Sequence, residues 1–171
     1  TIDFCNAYFQ IALHEKSQPY LSQQLATGVF TPTRCPQGIL DATLWFQGLM
    51  MKLFHQEVAE DKMKIWLDDI LLHSSTKDGY FSVLQTFLEK CASVGLFISM
   101  KKSVLYSSEV LWCGRKLSKE GIDLHPRVYE SIKAMKGPIT ADELSQWLGA
   151  CNWMRSTIPD FARLFQPLTD I

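Results

Sequence analysis

The sequence predicts an α+β fold, with a mixed or antiparallel sheet backed by helices and a helical C-terminal part. Three observations lead there. An apolar stretch, Ile65-Trp66-Leu67-Asp68-Asp69-Ile70-Leu71-Leu72, is broken at its centre by two adjacent acids, which reads as two buried strands joined by an acidic tight turn. Helical and strand patterns alternate without a regular β-α-β repeat. The last third of the chain carries helix start signals in succession.

Residues 1–13 read as strand, turn and strand, with Asp3 ending the first run and Tyr8 to Leu13 forming the second. Short alternating runs around Gly28, within residues 20–34, predict a second hairpin. Asp41 is placed to cap a helix from about Ala42 to Glu60, on which Leu44, Trp45, Leu49 and Leu53 fall near helical spacing. The hairpin around Asp68-Asp69 follows. Tyr80, Leu84, Phe87, Leu88 and Cys91 mark one face of a helix that Gly95 would terminate. Short strands are expected near 97–100, 104–106 and 111–116. Pro126 suits the first turn of a helix ending before Gly137-Pro138. Thr140 and Glu143 have capping-box spacing for a last helix bearing Leu144, Trp147, Leu148 and Cys151.

With 171 residues, 47% of them hydrophobic, the chain can bury one substantial core. No apolar run is long enough to span a membrane, and no signal peptide is visible. Five scattered cysteines lack C-x-x-C spacing, which disfavours zinc and suits reduced thiols in cytosol or nucleus. A net charge of −1 does not announce a nucleic-acid binder, although a local basic stripe is compatible with it.

Two adjacent carboxylates beside a core are unfavourable unless a cation or donors compensate them. Asp68 and Asp69 therefore read either as a solvated hairpin turn or as hard oxygen ligands for Mg²⁺. Asp3 alone reads as a strand-end acid. Asp3 and Asp68, with Asp69 in support, have the make-up of a phosphoryl-transfer metal site.

Asp3-Phe4-x-x-Ala7-Tyr8-x-Gln10-Ile11 resembles the first catalytic motif of the reverse transcriptases of retroviruses and LTR retrotransposons. Cys35-Pro36-Gln37-Gly38, with Phe46-Gln47-x-x-Met50 after it, is similar to their template-primer and nucleotide-binding motif. Trp66-Leu67-Asp68-Asp69-Ile70-Leu71 resembles Y-x-D-D, and Gly95-Leu96 to Lys101-Lys102 their G-L-x-x-x-x-K-K segment. Leu111-Trp112-Cys113-Gly114-Arg115 lies where the primer grip, usually F-L-G-H, is expected. Trp147-Leu148-Gly149-x-x-Asn152-Trp153-Met154-Arg155, followed by Ile158-Pro159-Asp160-Phe161-Ala162 and Pro167-Leu168-Thr169, is similar to the thumb signature of gypsy-type elements. The six motifs keep the family's order across the whole chain.

The resemblance implies an RNA- and DNA-directed DNA polymerase of a Pol polyprotein, with residues 1–118 as palm and 119–171 as thumb and start of connection. It implies Asp3, Asp68 and Asp69 as catalytic ligands of two Mg²⁺ ions, Mn²⁺ being the alternative. The ions would activate a primer 3′-hydroxyl and stabilise the leaving pyrophosphate. Phe4 would add its backbone carbonyl, and Tyr8 would gate the nucleotide sugar against a 2′-hydroxyl. Gln37, Gly38 and Lys102 would serve the incoming nucleotide; Lys101 and Arg34 are weaker phosphate candidates. Trp66, Trp112, Cys113, Gly114, Trp153 and Arg155 would contact nucleic acid. The implied partners are an RNA or DNA template with its primer, deoxynucleoside triphosphates, and protease, RNase H and integrase domains of the same polyprotein. The implied location is a cytoplasmic virus-like particle or the nucleus, with no membrane.

Five positions depart from the family pattern: Trp66 replaces tyrosine, Asp41-Ala42-Thr43 stands for N-A-P, and Cys113 and Arg115 alter the primer grip. The chain begins at the first motif without an initiator Met, and the basic fingers expected upstream are not in it. A segment of a longer polyprotein is expected, the alternative being a catalytically inactive retroelement remnant that at most binds template-primer.

Overall fold

The computed structural model describes residues 1–169. Packing divides the chain into two compact units, residues 1–107 and the remainder from Ser108.

The first unit is built on a three-stranded antiparallel sheet of β1 (Ile2–Asp3), β5 (Asp69–Leu72) and β4 (Met63–Trp66), in that spatial order. A separate hairpin, β2 (Gln23–Leu25) and β3 (Gly28–Phe30), lies where the sequence predicts one. Two helices, α1 (Ala42–Leu53) and α3 (Lys77–Val94), supply the rest of the core. Ile2, Met63, Ile70 and Leu72 from the sheet meet Phe46, Met50, Val83, Leu84 and Phe87 from the helices. Ile2 and Ile70 are register partners, as are Ile65 and Ile70, so one face of the sheet is a row of aliphatic pairs. Phe54 and Phe87 stack at 5.0 Å, and Phe4 packs edge-on to Phe46 at 5.6 Å.

Four sequence expectations shift. The run from Tyr8 to Leu13 is not a strand: Ala7–Gln10 form a 3₁₀ turn entered through Asn6 in the left-handed region, and Ala12 makes a lone bridge to Arg34. The helix expected to reach Glu60 breaks at Phe54, and a short α2 (His55–Ala59) follows. Phe54 leaves helical geometry and is fully buried against Phe87, so packing of that ring goes with the break. Asp41 precedes α1 but its side chain makes no capping bond. The strands expected at 97–100 and 104–106 do not form: Ile98 makes a lone bridge to Phe4, and Val104 exchanges backbone hydrogen bonds with Thr1. Helix α3 ends as expected, with Gly95 at φ 73°.

In the second unit, β6 (Glu109–Trp112), β7 (Arg115–Ser118) and β8 (Gly121–Leu124) form an antiparallel meander. The sequence predicts only its first part, because Gly121-Ile122-Asp123-Leu124 is too short and polar to stand out. β7 and β8 pair from Arg115↔Leu124 to Ser118↔Gly121. Helix α4 (Pro126–Lys133) starts at its proline. Helix α5 (Ala141–Trp153) starts at the expected capping box: Thr140 accepts from the Glu143 N–H, and Glu143 accepts from the Thr140 N–H. Helix α6 (Phe161–Thr169) docks by rings, with Phe161 and Phe165 stacked at 4.0 Å and Phe165 on Trp147 at 5.6 Å. Among the described residues no helix is long and apolar enough to cross a membrane.

One buried charge sits in the first unit. Glu57 is 6% exposed and takes Lys90 Nζ at 2.7 and 2.8 Å on its two oxygens, while the same ammonium donates to the Leu53 carbonyl at the end of α1. Removing the cation leaves an uncompensated carboxylate. Lys90→Met should therefore cost about 3 kcal/mol of unfolding free energy, at the low end for a buried pair because Lys90 keeps some solvent contact. The double variant Glu57→Leu with Lys90→Met should recover most of that loss. Urea denaturation of the two proteins checks both values.

Candidate active site

The acidic turn is displaced by one residue from its expected place. The two turn residues are Leu67 and Asp68; Asp69 is already the first residue of β5 and pairs with Trp66 on one side and Asp3 on the other. Side chains alternate along a strand. With Ile2 and Ile70 committed to the core, Asp3 and Asp69 must both emerge on the opposite face, directly across from one another. Like charges at such a position oppose sheet formation. Asp68 follows from the turn. Partial burial, then the charges of Asp68 and Asp3, hold the Asp69 carboxyl above the ordinary carboxylate range.

Lys102 brings positive charge to this face. The chain turns at Ser99, whose carbonyl accepts from the Lys102 N–H, and Ser103 Oγ accepts from the Asp3 N–H at 3.0 Å. The turn holds Lys102 Nζ 3.6 Å from Asp3 Oδ1. Among the described residues no three His, Cys, Asp or Glu side chains stand as a complete metal-binding group. The donors present are nonetheless of the right kind: hard carboxylate oxygens, those of Asp3 and Asp68 close enough to raise the proton affinity of Asp69, with a partly solvated lysine against Asp3. Such a set fits a hard divalent ion whose remaining ligands come from substrate phosphates.

Two glutamines hold the backbone of this face, and the sequence reading gave neither a role. Leu67 has φ 58°, a conformation that glycine takes readily and a leucine does not. Its N–H donates to Gln47 Oε1 at 2.5 Å, and Gln47 Nε2 donates to the Ile65 carbonyl at 3.3 Å. One side chain on α1 thus braces the strained turn from within. Gln10 does the same for β1: its Nε2 donates to the carbonyls of Cys5 and Phe97, and its Oε1 accepts from the Phe97 N–H. Both residues lie inside the motifs quoted above, and the signal was their amide, which can donate and accept at once.

Of the nucleotide-side candidates, Tyr8 is half-buried, its ring edge-on to Phe46 at 5.8 Å and its hydroxyl 3.5 Å from Thr43 Oγ1. The Phe4 side chain is core, 4% exposed, so only its backbone faces the acids' strand edge. Gln37 and Gly38 are exposed, with Gly38 at φ 95°. Their loop is tied to residues 10–13 through Cys35 N–H to the Ile11 carbonyl and Arg34 to the Gln10 carbonyl. Trp66 presents 59% of its surface beside Asp69.

The family model for reverse transcriptase (RNA-dependent DNA polymerase) matches residues 1–117, which include every residue of this face. The chain belongs to the reverse transcriptase family. It is 25% identical over its whole length to the retrovirus-related Pol polyprotein from transposon opus of Drosophila melanogaster. It is 27% identical over 170 residues to the transposon Tf2-3 polyprotein of Schizosaccharomyces pombe. It spans only 17% and 13% of those two proteins. Among solved structures, the foamy viral protease-reverse transcriptase in complex with double-stranded DNA is similar over 99% of this chain and 29% of that one, with a TM-score of 0.89 and 25% identity. The same enzyme in complex with an RNA/DNA hybrid is similar over 99% of this chain and 23% of that one, with a TM-score of 0.82 and 25% identity.

The reverse transcriptase motifs of the second unit gather around a hairpin. Cys113 and Gly114 form its two-residue turn, at φ 46° and 71°, between paired Trp112 and Arg115. The indole N–H of Trp112 is buried without a hydrogen-bond acceptor. The Arg155 guanidinium lies 5.9 Å over the Phe161 ring, which engages it in packing between the end of α5 and α6.

Two outcomes are expected. The Asp69 carboxyl should titrate above a free aspartate, and Asp68→Asn or Asp3→Asn should each lower that midpoint. A raised folded pKa means that stability falls as pH rises from the unfolded midpoint through the folded one, so both variants should also flatten stability in that interval. Carboxyl ¹³C chemical shifts against pH check it. Gln47→Ala should cost about 1–3 kcal/mol by leaving the Leu67 N–H unpaired, whereas Gln47→Glu, which keeps an acceptor, should cost less; chemical denaturation separates them.

Proposed function

We propose that this chain is the palm and thumb portion of an RNA- and DNA-directed DNA polymerase encoded in a retrotransposon Pol polyprotein. Residues 1–118 act as palm and 119–171 as thumb and start of connection. The observation that carries the reading is the register pairing of Asp3 with Asp69, with Asp68 beside them and Lys102 against Asp3. Family membership supports it, as does the likeness to a reverse transcriptase in complex with nucleic acid.

Asp3, Asp68 and Asp69 would hold two Mg²⁺ or Mn²⁺ ions, which lower the proton affinity of the primer 3′-hydroxyl and offset charge on the pyrophosphate. The 3′-oxygen bonds to the α-phosphorus of a deoxynucleoside triphosphate, the bond to the pyrophosphate oxygen breaks, and the hydroxyl proton leaves to solvent. Lys102, already against Asp3, supplies positive charge near the phosphates. Tyr8, fixed at its ring by Phe46 and at its hydroxyl by Thr43, excludes a 2′-hydroxyl. Phe4 contributes its backbone, and Gln37 and Gly38 contact the nucleotide or template. Trp66, Trp112, Cys113, Gly114 and Arg155 contact the RNA or DNA template and its primer, and Trp153 contributes to that binding. Protease, RNase H and integrase activities are expected in the parent polyprotein, which would work in a cytoplasmic virus-like particle or the nucleus.

In a parent polymerase carrying this segment, Asp68→Asn should abolish Mg²⁺-dependent primer extension while leaving the far-ultraviolet circular dichroism unchanged. Full extension by that variant would overturn the assignment. Tyr8→Ala should raise incorporation of ribonucleotides relative to deoxynucleotides, read on a gel with each triphosphate in turn. Unchanged sugar discrimination would leave Tyr8 as a core residue only.

A further inference from the structure

The second unit contains a three-part contact that no motif foretells. Trp153 is the last residue of α5, where a helix leaves its final carbonyls without intrahelical donors. Arg115, on the far side of the Cys113-Gly114 turn, donates Nη2 to the Trp153 carbonyl at 3.3 Å. Its guanidinium carbon also lies 5.1 Å from the centroid of the Trp153 ring. One side chain thus caps the negative end of the helix and rests on its terminal aromatic ring. The edge of the same indole lies against Gly114: a methyl group there would sit 2.8 Å from Trp153 Cζ2 and 2.9 Å from Cη2. Gly114 is therefore constrained twice, by its φ of 71° and by the ring on its bare face.

From this geometry we propose that Trp153 is a positioning residue, locking the tip of the Trp112–Arg115 hairpin to the C-terminal end of α5 so that the two move as one body. Its role in the polymerase rests on the reading above, in which that hairpin bears on the primer. Arg115, where the family usually has histidine, is the cationic half of the lock, and Gly114 is the seat that admits the ring. Trp153 acts through the hairpin: with its ring engaged on Gly114 and under Arg115, its contribution to template-primer binding is to keep the hairpin tip in place. Arg115→Met removes both the helix cap and the ring contact, while Arg115→Lys retains charge but not the planar face.

Two measurements test it. In the wild-type chain the Gly114 Hα resonances should lie upfield of the ordinary glycine range, shifted by the Trp153 ring current. Trp153→Leu should return them to that range, and Trp153→Tyr should keep part of the shift. Ordinary Gly114 shifts in the wild type overturn the proposal, whatever the polymerase does. In the parent polymerase, Trp153→Leu and Gly114→Ala should each speed dissociation from a labelled primer-template duplex about tenfold, in the off-rate where such contacts express themselves. KM for the deoxynucleotide should stay near wild type, and Trp153→Tyr should restore residence. If both variants leave dissociation unchanged although the wild type binds the duplex, the lock does not position the hairpin and the proposal fails. If the wild type binds no duplex, the polymerase reading fails instead, and the ring-current result alone decides the contact.

Discussion

The register between β1 and β5 is the constraint on which the rest of the site depends. Because side chains alternate, pairing Ile2 with Ile70 compels Asp3 to face Asp69. A slip of one residue would put carboxylates into the core and isoleucines into water. The hydrophobic pairing that stabilises the sheet therefore also enforces the carboxylate pair that opposes it. The aromatic core beneath, with Phe46, Phe54 and Phe87 fully buried, prevents the sheet from relaxing to a different pairing.

Holding like charges together requires the surrounding backbone to be fixed. Gln47 and Gln10 do this by standing in for backbone partners: each amide donates to a carbonyl and accepts from an N–H of a segment without a regular ladder. Leu67 keeps its left-handed conformation within that frame. A strained turn, a raised carboxyl at Asp69 and a lysine held at Asp3 lie together on one face, the arrangement on which the proposed active site rests.

The second unit is organised differently. Its sheet is a simple meander and its helices pack through aromatic faces, from Trp147 through Phe165 to Phe161 and the Arg155 cation. The hairpin tip, with its two left-handed residues, is held to the end of α5 by Trp153 and Arg115. Burial pushes the Cys91 thiol up to about 12, far from reactivity.

By itself the sequence determined the class of fold, the family, and the helices that carry strong local signals, and it proposed the three acids as a set. Those signals are short-range: a capping box at Thr140 and Glu143, a glycine at 95, a proline at 126, and apolar runs on both sides of Asp68. Tertiary structure decided what depends on residues far apart in the chain. It moved the turn to Leu67-Asp68, because Asp69 pairs with Trp66 and Asp3. It put a 3₁₀ turn at Ala7–Gln10 and a lone bridge at Ala12 in place of a strand from Tyr8 to Leu13, with Gln10 drawn to Phe97 and Ala12 to Arg34. It joined Gln47 to Leu67, Lys102 to Asp3 and Trp153 to Gly114. No local pattern encodes such pairings, because a side-chain amide, a lysine or a ring finds its partner only after burial of the apolar residues has brought the segments together.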